Sequence, residues 1–147
     1  VRDVDAAKAV LADLWDTLTA DATLKVLSGG TVRLFRGEAN ENPTSPYAVH
    51  DLNWNSDGGD DWAVCDGPEY TVDVFCEGEI PDIADAISDR IVKILEGRQA
   101  TTPEGDAHYT LSFFSAGNVP TGSHKEWQRS LIFWIYAFAV GQIGAVV

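Results

Sequence analysis

The chain contains no methionine, at position 1 included, which reads as a chain that starts after its initiator or after trimming. It has only two cysteines, Cys65 and Cys76, too few for the disulfide framework of a small secreted domain. A bridge between them and two separate thiols both remain open. Three histidines, His50, His108 and His124, stand too far apart in sequence for a local metal-binding pair. Positive charge is the scarcest commodity. Ten Lys and Arg, of which four are Lys, face 23 Asp and Glu, giving a net charge of -13 and a pI near 4.3. Such a surface repels phosphate backbones and anionic lipids, which argues against nucleic-acid and membrane partners. No apolar run is long enough to cross a bilayer; the longest strip, Leu131 to Val140, spans ten residues. The N-terminus lacks the basic region, apolar core and cleavage site of a secretory signal.

What is present suits one globular domain over residues 1–147. The mass of 15.9 kDa and the 45% hydrophobic content allow one sizeable core. The acidity fits either a salty solvent, in which a short Debye length quenches mutual repulsion, or a basic partner.

Periodicity supplies the elements. Val4, Ala7, Leu11, Leu14 and Leu18 recur at helical spacing and predict a helix over 4–18. Asp21 is placed to cap a short turn through Val26, and Ser28-Gly29-Gly30 ends it. Alternation predicts strands over 31–36, 47–55 and 70–77, the last with Tyr70, Val72, Val74 and Cys76 on one face. The period then changes: Ile83, Ile87, Ile91, Ile94 and Leu95 form a helical stripe between Pro81 and Gly97. A polar connection over 98–107 leads to strands over 109–116 and 127–139. The last strand is apolar on both sides, with Ile132, Trp134, Tyr136 and Phe138 opposite Leu131, Phe133, Ile135 and Ala137. It is either a central strand covered twice or the bearer of a subunit contact. The expected fold is α+β: a mainly antiparallel sheet of about five strands with two helices on one face, in the order helix, three strands, helix, two strands.

No catalytic constellation emerges. His50, Cys65 and Cys76 meet as a zinc site only under a particular strand pairing. Asp57, Asp60 and Asp61 lack the spacing of an EF-hand and read as a solvated loop tip. Asp85 and Asp89 stand one helical turn apart, but Asp89 also precedes Lys93 by four residues, an ordinary surface pairing. Arg33 and Arg36, with Lys125 and Arg129, are candidates for pairing with acids of a neighbouring subunit; the alternative is intrachain pairing or solvation. No enzyme activity, cofactor or metal is expected.

The segment from Leu18 to Arg36 resembles the opening of many tailed-virus tail-completion proteins: a first helix, then the phrase Asp21-Ala22-Thr23-Leu24-Lys25-Val26-Leu27, then Gly29-Gly30 and a strand. Pro46-Tyr47-Ala48-Val49 matches their strand entry. The later order of elements is similar to the tail terminator of long-tailed, siphovirus-like bacteriophages. The resemblance implies a virion structural protein that forms a homo-oligomeric, hexameric ring. One face of the ring would cap the tail-tube protein and end polymerisation, and the other would meet a neck or head-completion protein. It would be assembled in the host cytoplasm and reside at the head–tail junction. Combined with the acidity, it points to a virus of a halophilic, archaeal host. Expected contact residues are Arg33, Arg36, Asn42, Asp57, Asp60, Asp61, Lys125, Arg129, Trp134, Tyr136 and Phe138. The competing readings are another head–tail joining protein (neck, adaptor or stopper) and a halophile enzyme or small-ligand binder with a pocket around Tyr47, His50 and Trp54.

Overall fold

The computed structural model describes residues 3–53, 69–78, 80–102, 107–122 and 125–139. In chain order the elements are α1 (Asp3–Thr19), α2 (Ala22–Leu27), β1 (Leu34–Arg36), β2 (Tyr47–Asn53), β3 (Glu69–Glu77), α3 (Asp82–Leu95), β4 (Gln99–Thr101), β5 (Ala107–Val119) and β6 (Glu126–Ala139). The strands form one six-stranded sheet in the order β1-β2-β3-β6-β5-β4.

The class is α+β as expected, but three details of the expectation are corrected. The sheet has six strands, because the polar connection after α3 contains β4, paired antiparallel with β5. The sheet is mixed, because β1 runs parallel to β2 with Leu34 opposite Ala48. There are three helices, since the turn after Asp21 is a helix in its own right. Asp21 does cap it: its carboxylate accepts the Leu24 N–H at 2.9 Å, satisfying a donor that the first turn of a helix leaves without a partner.

All three helices lie on one side of the sheet. The inward residues follow from strand alternation: Ala48 and His50 on β2, Tyr70, Val72, Val74 and Cys76 on β3, Tyr109 and Leu111 on β5, and Leu131, Phe133 and Ile135 on β6 are all buried. They meet Val10, Leu11, Leu14 and Leu18 of α1, Leu24 of α2, and Ala84, Ile87, Ile91 and Leu95 of α3. Full burial of one such side chain is worth about 1.5–3 kcal/mol, so this layer is the main source of stability. The stripe on α3 is rotated from the expected one, since Ile83 is 52% exposed while Ala84 and Ser88 are buried.

Two polar networks tie the helices down. Arg90 of α3 donates from Nε and Nη2 to the two oxygens of Asp21 at 2.9 and 2.8 Å, joining α3 to the start of α2. That hydrogen-bonded guanidinium holds the Asp21 carboxyl below its usual pKa. Beneath α1, the Tyr109 hydroxyl donates to Asp13, and Arg98 donates to both the Tyr109 oxygen (3.0 Å) and Asp13 (3.1 Å). Burial and the Asp13 hydrogen bond push the Tyr109 phenol above its usual pKa, so it keeps its proton and remains a donor.

The parallel β1–β2 pair is joined by a connection without a helix, which is short for a crossover. Arg33 explains how it holds. Its guanidinium donates to four backbone carbonyls, of Thr44 (2.9 Å), Pro46 (3.1 Å), Ser28 (3.0 Å) and Ser45 (3.2 Å). One side chain thereby fixes the return leg of the loop against the end of α2. At the other end of the sheet, β4 covers only the first residues of β5. Beyond it, the Phe113 N–H donates to a carboxylate oxygen of Glu96 at 2.6 Å. A register shift between Phe113 and Ser115 then bulges β5.

Candidate assembly surface

The outward positions of the same strands form a second face, uncovered among the described residues. Cross-strand register places Glu69 beside Trp134, Thr71 beside Ile132, Asp73 beside Ser130 and Phe75 beside Gln128 on the β3–β6 pair. On the neighbouring strands the same face carries Tyr47, Val49 and Asp51 of β2, and Thr110 and Ser112 of β5. No described helix packs there. The question left open for the last strand is thus resolved for its described side chains. Leu131, Phe133 and Ile135 enter the core, whereas Trp134 and Tyr136 are 38% and 56% exposed.

Two aromatic groups stand on this face. At one end Phe114, the bulged residue of β5, tilts against Trp134 with ring centres 4.8 Å apart; it is 55% exposed. The bulge matters because it turns Phe114 outward between the inward Phe113 and the outward Ser115. At the other end Tyr47 stacks on Phe75, centres 4.8 Å apart and planes 11° from parallel, and Phe35 meets Tyr47 edge-on at 6.2 Å. About six residues of β3 separate the groups, roughly 20 Å at strand rise. Between and around them the face carries Asp51, Glu69, Asp73, Glu77 and Glu126. Among its described strand positions there is no Lys or Arg.

The residues singled out from sequence fall in several places. Trp134 and Tyr136 lie on this face. Phe138 sits on β6 with its backbone opposite His108. Arg33 is committed within the chain, to the four carbonyls above. Arg129 points to the helix side, where it reaches Asp85 of α3 at 3.7 Å and the Asn118 side chain at 3.2 Å. Arg36 is exposed at the end of β1, and Asn42 is exposed in the 37–46 loop with a left-handed φ of 52°. Lys125 is exposed just before β6, where its carbonyl accepts the Gly78 N–H. Asp57, Asp60 and Asp61 lie outside the described residues. The structure brings together Trp134 and Tyr136 but none of the four basic candidates. Sequence reading missed Tyr47, Phe75 and Phe114 as members of this surface; strand alternation alone carries the signal for the first two.

Of the three residues named for a ligand pocket, the two described ones do not come together. Tyr47 faces outward and His50 inward, and Trp54 lies outside the described residues. The buried His50 ring is spent on Tyr70, with Nδ1 2.7 Å from the phenol oxygen. Burial lowers its pKa to about 4, so it is neutral. Cys76 is a free, buried thiol whose pKa burial pushes up to about 11, far from the thiolate character a reactive cysteine needs. Cys65 lies outside the described residues. Among the described residues no group of three His, Cys, Asp or Glu is disposed to hold a metal, and no helix is long and apolar enough to cross a membrane.

No protein-family model matches the sequence, and no curated protein matches it. The fold does have a counterpart among solved structures. A chain of the virion of a native gene transfer agent particle superposes with a TM-score of 0.67 at 19% identity, covering 91% of this chain and 97% of that one. At that identity the likeness is one of fold, and it spans the helices and the sheet together.

Proposed function

We propose that the protein is a virion structural component, and specifically a tail terminator: a ring of identical subunits that caps the tail tube, ends its growth and presents its far side to a neck protein. The observation that carries this reading is the fold match over nearly the whole length of both chains with a part of a virus-like particle. The build of the molecule supports it. A two-layer domain with one side of its sheet bare among the described residues, and with His50 and Cys76 buried, has the makings of an assembly part. A closed ring needs two different surfaces that meet from copy to copy. The exposed Phe114, Trp134 and Tyr136 supply one of them, and Ile80 and Ile83, exposed at the start of α3, offer apolar surface on another side. The acid excess belongs with a salt-rich solvent, such as that of a halophilic host, where these subunits approach one another with their repulsion screened.

The test is the native mass by light scattering in multimolar KCl and at low salt. A discrete species near six times 15.9 kDa in high salt, lost on Trp134→Glu, is the expected result. A twelvefold species would favour a neck adaptor instead. A monomer that also fails to cap purified tubes in high salt would overturn the reading.

A further inference from the structure

The end of the bare sheet face where β2, β3 and β6 meet holds a groove of about 370 Å³. The outer surface of the Tyr47–Phe75 stack and Pro120 provide apolar walls. Glu77 and Glu126, both lining it, are direct cross-strand partners on β3 and β6. Like charges placed directly opposite on an antiparallel pair repel. No ion pair joins either carboxylate to a cation among the described residues. Their field reaches the Tyr47 phenol, whose pKa is raised by burial and then by Glu126 and Glu77.

An aromatic wall beside two facing carboxylates suits a guanidinium or ammonium that pairs with the acids while lying against the rings. We propose that this groove receives an arginine-bearing segment of a different protein. Charge complementarity decides against a second copy as the occupant. The groove lies on a face with no Lys or Arg among its described strand positions, in a chain whose net charge is -13, so two copies meeting there repel. A basic partner is attracted instead, and the acids gain the counter-charge their own strands do not supply. The inference stands on the groove and does not depend on the ring reading.

The test uses a fluorescein-labelled peptide carrying two arginines between glycines, titrated with the whole protein and followed by anisotropy near physiological salt. Two double variants of equal net charge are compared. Glu77→Gln with Glu126→Gln empties the groove of charge; Asp82→Asn with Asp89→Asn removes the same charge from the helix side. The expected result is a loss of tenfold or more in affinity for the first and less than twofold for the second. Tyr47→Leu, which keeps both acids, should also weaken binding severalfold, and thermal melts establish that each variant is folded. Equal weakening by both double variants would reduce the effect to bulk charge and overturn the proposal. So would absence of peptide binding by the unaltered protein, or self-association that depends on Glu77 and Glu126.

Discussion

His50 makes stability fall in mild acid, and by a calculable amount. Its ring lies inside the core, hydrogen-bonded to Tyr70, whose own pKa burial raises so that the phenol stays protonated. Burial drops the imidazole pKa from its ordinary 6.5 to about 4; Asp51 pulls it up and Arg36 pushes it down, both by less. Between those two values the unfolded chain binds a proton that the folded one refuses. Stability attributable to this group is therefore intact above pH 7 and declines as pH falls through 6.5, reaching its full loss below 4. At pH 5 the loss is RT ln[(1 + 10^1.5)/(1 + 10^-1)], about 2 kcal/mol, and at pH 7 only about 0.2 kcal/mol. The measurement is urea unfolding of the parent and of His50→Gln at both pH values in the same salt. Gln has no proton to gain and can still accept from Tyr70, so the stability gap between the two proteins should shift by about 1.8 kcal/mol in favour of the variant on going from pH 7 to pH 5. Parallel pH profiles, or a His50 imidazole that titrates near 6.5 by NMR, would refute the reasoning.

Asp21→Ala removes the α2 cap and should cost about 1 kcal/mol in denaturant unfolding, before any loss of the Arg90 contact is added. Phe133→Ala empties a fully buried site between Tyr70 and Phe113 and should cost about 3–5 kcal/mol. Gly97, just past α3, has a left-handed φ of 72°, and Gly97→Ala should lower stability by about 1 kcal/mol although open space surrounds it. Trp134→Glu loses the Phe114 ring contact and faces Glu69, so it should lower the monomer's melting temperature by several degrees without unfolding it, while abolishing the high-salt oligomer.

The parts of the fold legible in the sequence are those where burial imposes a period. Tyr70, Val72, Val74 and Cys76 alternate because only one side of β3 meets the helices. Ile87, Ile91 and Leu95 repeat at helical spacing because α3 lies along that side. β1 and β4 are three residues each, too short for any period to accumulate, so the parallel pairing of one and the existence of the other were hidden. Arg33 was hidden differently. In an acidic chain an arginine suggests a carboxylate partner, yet its partners are carbonyls 5 to 13 residues away, brought near only by the closed loop. The outward aromatics of β6 were readable as an alternation, but which side would stay bare depended on where all three helices packed.

One consequence follows from the Glu96 carboxylate held on the Phe113 N–H. The rim of β5 past β4 is where one more strand, from any source, would otherwise be recruited. There the molecule seats a negative charge in the place of an incoming carbonyl, and directly afterwards the backbone bulges. At this rim, growth of the sheet sideways is thereby arrested by the chain itself. That arrest keeps this rim from templating an open-ended ribbon of further copies.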